Sequence, residues 1–182
     1  MSNAAFLLLD FQAGVTDQVW ATAAVERAAV ARVAARQRGL LTVFTHVSFR
    51  EGFPEVSARN KVFWGLKERG ALPTGPARFL PSLAPGEGEL VVAKNRFSAF
   101  CGNDLGSLLR ARSVTKLVLA GITTSGVVLS TALVASDLDF EVAVLADACA
   151  DEGTLHQTLV SDFLPRSCDV LLTRDWVQRS SA

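Results

Sequence analysis

The segment that decides the fold spans residues 116–151 and reads KLVLAGITTSGVVLSTALVASDLDFEVAVLADACAD. Its first part, residues 116–120, is a short apolar run typical of a buried parallel strand, and Gly121 is expected to end that strand. Residues 140–146 have the same character, with Asp147 at the expected strand exit. The segment therefore predicts a strand, a loop, a helix and a second strand.

The loop between these two strands is a candidate site for negative charge. Thr124 and Ser125 are expected to cap the following helix, because their hydroxyl oxygens can accept from N–H groups of its first turn. The positive end of the helix would face the loop. An anionic group or a developing oxyanion could be held there.

Two charged residues follow apolar runs elsewhere in the chain. Asp10 comes directly after residues 5–9, and Lys94 comes directly after residues 90–93. In open α/β sheets ligands bind beyond the carboxyl ends of strands, which favours a functional role for both residues. A lysine beside a carboxylate lowers its pKa and can stabilise negative charge in a transition state. A structural ion pair remains an alternative for the two, as does a turn or cap role for Asp10.

Strands and helices are predicted to alternate along the whole chain. Asp17 is expected to begin a helix that ends near Gly39, and Asn103 is expected to cap another. The alternation predicts an α/β protein with a six-stranded, mostly parallel sheet covered on both faces, a Rossmann-like three-layer α/β/α arrangement. The remaining predicted strands are 40–47 and 169–172, and the predicted helices are 17–38, 57–69, 103–112 and 151–164.

An irregular segment, residues 48–89, interrupts this alternation. Its Gly and Pro content predicts long loops, which in a compact domain are usually functional or form an interaction surface. Its aromatic side chains could wall a substrate pocket, form a subunit interface, or build a small satellite core. These side chains are Phe49, Phe53, Phe63 and Trp64.

Composition restricts the function classes. A length of 182 residues predicts one domain, residues 1–182, and 18 basic residues balance 18 acidic ones, which gives no attraction to nucleic acid or anionic membrane. The sequence has no apolar run long enough to span a bilayer, and no signal peptide is indicated. Three widely spaced cysteines favour a reducing compartment, so a cytoplasmic protein is expected. With His46 and His156 as the two histidines and no GxGxxG motif, neither a metal nor a cofactor is expected.

Three stretches together resemble the isochorismatase-like (cysteine hydrolase) superfamily. They are FLLLDFQ at residues 6–12, VVAKNRFSAFCGNDL at residues 91–105, and GITTSGVVLSTA at residues 121–132 followed by DFEVAVLADACAD at residues 139–151. The resemblance covers nearly the whole chain in the right order. It implies a Rossmann-like fold with a six-stranded parallel sheet, a small-molecule substrate, and a homo-oligomer, either a dimer or a tetramer.

The resemblance also assigns the site residues. The catalytic triad of the superfamily is Asp, Lys and Cys; the first two fall on Asp10 and Lys94, and the nucleophile position falls on Val127. A non-proline cis peptide is implied between Ile122 and Thr123. The oxyanion would be held by the backbone of the loop comprising Ile122, Thr123, Thr124, Ser125 and Gly126.

A valine cannot form a thioester, so the resemblance leads to three hypotheses. The first is a hydrolase that acts on a small polar or carboxylated metabolite by acid–base chemistry at the Asp/Lys pair, as in family members that lack the cysteine. The second is a non-enzyme, a binding or assembly subunit that kept the pocket. The third is a hydrolase whose nucleophile has moved to Cys101, Cys149 or Ser125.

Overall fold

The computed structural model describes residues 3–179, and its centre is a six-stranded sheet. The sheet has the order β3-β2-β1-β4-β5-β6, and every neighbouring pair is parallel. This confirms the predicted α/β class. The strands are β1 (Ala4–Leu9), β2 (Leu41–Val47), β3 (Leu90–Lys94), β4 (Lys116–Ile122), β5 (Glu141–Ala150) and β6 (Asp169–Leu171).

Helices cover both faces of the sheet, which gives the expected three layers. Alternate residues of β1 point to opposite cores: Leu7 and Leu9 pack with α3 and α4, while Phe6 and Leu8 pack with α1 and α6. No helix within residues 3–179 is long and apolar enough to span a membrane. The helices are α1 (Thr22–Gln37), α2 (Lys61–Glu68), α3 (Leu105–Ala111), α4 (Leu129–Asp137), α5 (Leu155–Thr158) and α6 (Thr173–Gln178).

The start of the first helix differs from the prediction. A short 3-10 turn, Val19–Ala21, precedes α1, which begins only at Thr22. The carboxylate of Asp17 accepts from the N–H of Gly14 at 2.9 Å, so it closes a local turn and caps no helix. The predicted end of the helix at Gly39 is confirmed, because Gly39 adopts a positive φ of 65° that terminates helices.

The two central strands are longer than predicted. Gly121 lies inside β4, where it pairs with Leu9 of β1, so the prediction that it ends the strand is wrong. Asp147 lies inside β5 and not at its exit. Its Oδ1 accepts from both the N–H and the hydroxyl of Thr173, each at 2.7 Å, and thereby caps α6.

The segments around the last helices also differ. In place of one helix over 151–164, α5 has four residues and continues as a π turn (Leu159–Phe163) and a 3-10 turn (Leu164–Arg166). The apolar side chains of Leu155 and Phe163 in this segment are exposed. Helix 57–69 is shorter, because Asn60 accepts from the N–H of Phe63 and starts α2 at Lys61. Asn103 does accept from the N–H at the start of α3, as predicted.

Gly121→Ala is expected to destabilise the fold by about 1–3 kcal/mol through overpacking. A Cβ at this position would lie 2.6 Å from the Cβ of Leu9 and 2.9 Å from its carbonyl oxygen, between two central strands that cannot move apart. The free energy of unfolding in urea measures the effect. Gly106→Ala is the control, because a Cβ there would contact only the end of the Arg110 side chain, at 3.4 Å. The substitution also replaces a glycine inside a helix, where glycine is less stable than alanine. Equal stability of both variants and the wild type would contradict the expectation.

Candidate active site

A buried ion pair lies at the carboxyl edge of the sheet. Lys94 Nζ lies 2.7 Å from Asp10 Oδ2, with 1% and 6% of the two side chains exposed. Asp10 follows β1 and Lys94 ends β3, so the pair crosses over the intervening β2. From β2, Thr45 Oγ1 donates to Asp10 Oδ1 at 3.0 Å. The sequence-predicted candidates Asp10 and Lys94 are therefore in direct contact.

The backbone fixes Asp10 in a defined orientation. Its φ of 61° lies in the left-handed region, which ends β1 sharply and turns the side chain towards Lys94. Its N–H donates to the carbonyl of Thr45 at 3.1 Å. Lys94 is held as well, because its ammonium also donates to the carbonyl of Arg96 at 2.9 Å. Both charged groups are thus constrained by hydrogen bonds in addition to the ion pair.

Burial raises the pKa of the Asp10 carboxyl above its ordinary value. The ammonium of Lys94 and the hydroxyl of Thr45 act in the opposite direction, but loss of hydration is the larger effect. A carboxyl group in this environment keeps its proton to higher pH than one in water. The direction of this shift favours the acid form of Asp10 and a role as proton donor.

A cavity of about 520 Å³ opens onto this pair. It contacts the cis peptide and the loop that follows β4, including Thr123, Gly126 and Val127. Val127 therefore faces the same space as Asp10 and Lys94. The rest of the lining is mostly apolar and comprises Val15, Trp20, Val47, Phe63, Leu66, Ala71, Leu72, Pro73, Phe97 and Ile122, with Gly14, Gln18, Arg96 and Glu152.

The loop after β4 has the backbone that the resemblance implies. The peptide between Ile122 and Thr123 is cis, and Thr124–Val128 forms a π turn that leads into α4. Gly126 is closely packed, because a Cβ there would lie 2.7 Å from Thr123 Oγ1. Only a residue without a side chain fits this position without a shift of its neighbours.

Thr124 and Ser125 do not cap the helix, contrary to the prediction. The hydroxyl of Thr124 lies 2.8 Å from His156 Nδ1. The N–H of Ser125 donates to Asp151 Oδ2 at 2.6 Å. The carboxylate of Asp151, which follows β5, therefore accepts a hydrogen bond from one N–H group of the first turn. It also places negative charge at the positive end of the helix.

The alternative nucleophiles lie away from the cavity. Cys101 is exposed, Cys149 is buried inside β5, and neither thiol nor Ser125 is part of the cavity wall. Burial raises the pKa of Cys149 to about 12 and that of Cys168 to about 11, which keeps both as unreactive thiols. Cys149 thus lies in the core and not at a strand exit.

The two histidines are far from forming a metal site. Within the described part of the chain, no three His, Cys, Asp or Glu residues are grouped as metal ligands would be. His46 is buried at the end of β2 and packs edge-on against Phe79, with ring centroids 6.1 Å apart. Burial lowers the pKa of His46. Its Nδ1 has no hydrogen-bond partner among residues 3–179.

Several cavity residues were missed by the sequence analysis. Trp20 lies in the turn before α1 and Glu152 follows β5, and no local pattern reveals their mutual position. Arg96 and Phe97 lie inside the stretch at residues 91–105, so that motif did contain a signal. Of the four aromatic residues in the irregular segment, Phe63 packs with Phe49 in a satellite core, which confirms that interpretation. Phe63 also lines the cavity, and its role in a substrate pocket stays a prediction.

Comparisons with known proteins agree with this architecture. Residues 4–175 match the model of the isochorismatase domain. The chain is 32% identical to maleamate amidohydrolase of Pseudomonas putida over 186 residues, 96% of this chain and 85% of that protein. It is also 32% identical to ureidoacrylate amidohydrolase of Variovorax paradoxus over 134 residues, 66% of this chain but only 53% of the relative.

A solved structure also matches the fold of this chain. The isochorismatase family protein of Burkholderia thailandensis superposes with a TM-score of 0.80 at 25% identity, over 96% of this chain and 94% of that one. The matched region spans the sheet, the Asp10–Lys94 pair and the loop with the cis peptide. The chain therefore belongs to the isochorismatase family, a family of hydrolases.

Proposed function

We propose that this chain hydrolyses a small polar or carboxylated metabolite by acid–base chemistry at Asp10 and Lys94, without a thiol nucleophile. One observation carries the proposal: the buried pair opens into a cavity whose wall has Val127 where the family resemblance places the nucleophile. No cysteine lines this cavity along the described chain. Water is then the nucleophile, and the protein supplies the proton.

The proposed reaction conserves atoms and charge. Asp10 donates its proton to the substrate from the acid form, whose population the buried environment favours because it raises the carboxyl pKa. Water adds to the resulting cationic carbon, and the carboxylate of Asp10 takes up the proton that the water loses. The adduct then collapses: its new hydroxyl group becomes a carbonyl as the C–O or C–N bond to the leaving group breaks, and the hydroxyl proton passes to the leaving group, which departs as the alcohol or amine. Lys94 orients Asp10 and stabilises its carboxylate between the two transfers.

The loop of residues 122–126, together with Val127, has a binding role in this scheme. Thr123, Gly126 and Val127 line the cavity, and backbone N–H groups of this loop are proposed to hold an oxyanion or a carboxylate oxygen of the substrate. The names of the two amidohydrolase relatives specify small carboxylated amides, which supports a substrate of this size class. The assignment of residues 1–182 to one domain, a cytoplasmic location, a homo-oligomeric state and the absence of a cofactor are parts of the same proposal.

The alternative is a family member that binds a small molecule or assembles with copies of itself but has lost catalysis. The presence of Val127 at the nucleophile position favours it, since the thioester route is closed. The retained, fully buried Asp10–Lys94 pair favours the hydrolase, because burying two charges has a large desolvation cost that a plain binding pocket does not require.

Asp10→Asn is expected to lower kcat/KM by about 10²–10⁴-fold, because asparagine keeps the shape but cannot transfer the proton. The assay is hydrolysis of a panel of amides, vinyl ethers and hydroxamates. Turnover by the wild type should fall as pH rises through the raised pKa of Asp10, because the acid form is the active one. Asp104→Asn, which alters an exposed carboxylate directly before α3, should match the wild type.

Two results would count against this proposal. Turnover that rises with pH would make Asp10 a general base. Absence of turnover across the panel, with a wild-type fold, would favour the non-catalytic alternative.

Val127→Cys is expected to create a reactive thiol in the cavity beside Lys94, whose positive charge favours the thiolate. The substitution is close to isosteric, so the fold should remain intact. Measurements are the rate of alkylation by iodoacetamide against pH and hydrolysis of the amide panel. Val128→Cys is the matched control, because Val128 is fully buried in the core and does not line the cavity. An equally unreactive thiol at both positions would show that Val127 does not occupy the nucleophile position.

Titration of the thiols in the native protein should detect one cysteine that reacts rapidly. Cys101 is exposed, whereas the raised pKa values of Cys149 and Cys168 suppress their reaction until the chain unfolds and all three cysteines react. Alkylation of native protein should leave turnover unchanged. Loss of turnover on alkylation, matched by loss in Cys101→Ser, would restore the displaced-thiol hypothesis.

A further inference from the structure

Arg96 is the second cation of the cavity, and its bonding differs from that of Lys94. Lys94 contacts the carboxyl group of Asp10, whereas the guanidinium of Arg96 forms no ion pair with any carboxylate among residues 3–179. Its Nη1 donates to the carbonyl and the side-chain oxygen of Asn95 at 2.6 and 3.3 Å, and its Nη2 donates to the carbonyl of Glu55 at 2.8 Å. All of these acceptors are neutral oxygen atoms.

These bonds orient the guanidinium without saturating it. Arginine has five N–H donors, and the three contacts leave Nε–H and one Nη2–H without an acceptor in the described chain. The group is half-buried and lies 5.8 Å from the ring centroid of Phe63. A planar cation with free donors, fixed against an aromatic wall, matches the two oxygen atoms of a carboxylate.

The position of Arg96 limits the size of the molecule that it can bind. Its carbonyl accepts from Lys94 Nζ, which in turn contacts Asp10. The guanidinium therefore lies one arginine side chain away from a backbone carbonyl that Lys94 links to the carboxyl group of Asp10, the proposed proton donor. The rest of the lining is mostly apolar, and it includes Trp20 and Phe97. A short molecule with a carboxylate at one end and an apolar body could place its carboxylate at Arg96 and its body against these apolar side chains.

We infer that Arg96 is a specificity-determining residue that binds the carboxylate of a small monocarboxylate ligand. This inference rests on the proposed function for the identity of the reacting end, but it concerns binding alone. Apart from Arg96 and the Asp10–Lys94 pair, Glu152 is the one charged residue in the cavity wall along the described chain. It is exposed, and water screens its charge, so it weakens the attraction for an anion only slightly.

The experiment compares three acid–amide pairs of increasing length: crotonate and crotonamide, benzoate and benzamide, cinnamate and cinnamamide. Dissociation constants are measured by ligand-observed NMR, which needs no turnover. At least one acid should bind the wild type about tenfold or more tightly than its amide, the discrimination expected for charge-assisted hydrogen bonds. Arg96→Gln should remove this ratio, and Arg96→Lys should retain only part of it because lysine lacks the planar fork.

The controls separate this inference from the proposed function. Glu152→Gln removes a charge from the same cavity and should leave the acid–amide ratio of the wild type or increase it slightly. Asp10→Asn should keep the ratio or increase it, because it leaves the Lys94 ammonium without its carboxyl partner, even though it removes turnover. The ratio disappearing in Arg96→Gln but not in Asp10→Asn or Glu152→Gln supports the inference whether or not the wild type turns over any substrate.

Three results would overturn the assignment of Arg96. The first is that no acid of the three pairs binds measurably to the wild type. The second is that acids and amides bind equally. The third is that Arg96→Gln, with a melting temperature near that of the wild type, keeps the preference for acids. Arg96→Lys covers the case in which the glutamine variant does not fold.

Discussion

The buried contact between Lys94 and Asp10 sets the main constraint on this structure. Two opposite charges out of water are stable only together, since removing one partner of such a pair leaves an uncompensated charge and costs about 3–5 kcal/mol. Their strands are not neighbours, so the contact requires β2 to be in register with both. Leu9 pairs with Thr45, and Val47 pairs with Lys94, which brings all three carboxyl ends to one level. The cavity forms where those ends meet the loop after β4.

The location of this pair could be predicted from the sequence because it depends on strong local signals. Continuous apolar runs identify buried parallel strands, and Asp10 and Lys94 are the charged residues at which two such runs stop. The edge of a parallel sheet then brings the two residues near each other without further information. What the sequence could not reveal is that β2 lies between them and contributes Thr45 to the same carboxylate.

The predicted boundaries of helices and strands are wrong where contacts with residues distant in sequence determine them. Gly121 resembles a strand end, but it is a glycine because Leu9 of β1 approaches its backbone, and β4 continues past it. Asp147 resembles a residue at a strand exit, yet it accepts two hydrogen bonds from Thr173, 26 positions further along. Capping of the loop after β4 was mispredicted for the same reason, since Asp151 from the next strand bonds to Ser125 and replaces the expected hydroxyl caps. Each local pattern was compatible with two outcomes, and a long-range contact selected one.

The same Asp/Lys pair can support two chemistries, and the position of one proton distinguishes them. A carboxylate that activates a neighbouring thiol must be ionised before it acts, whereas a carboxyl group that protonates a substrate must not be. Val127 lines the cavity with the pair and no cysteine of residues 3–179 does, so none of these residues offers Asp10 a thiol proton there. Burial raises the pKa of Asp10 and so favours its acid form. An anionic substrate would raise that pKa further if its charge lay against Asp10. Placement of the substrate carboxylate at Arg96, as inferred above, would let Lys94 remain bound to Asp10 and steady its carboxylate after the proton has left.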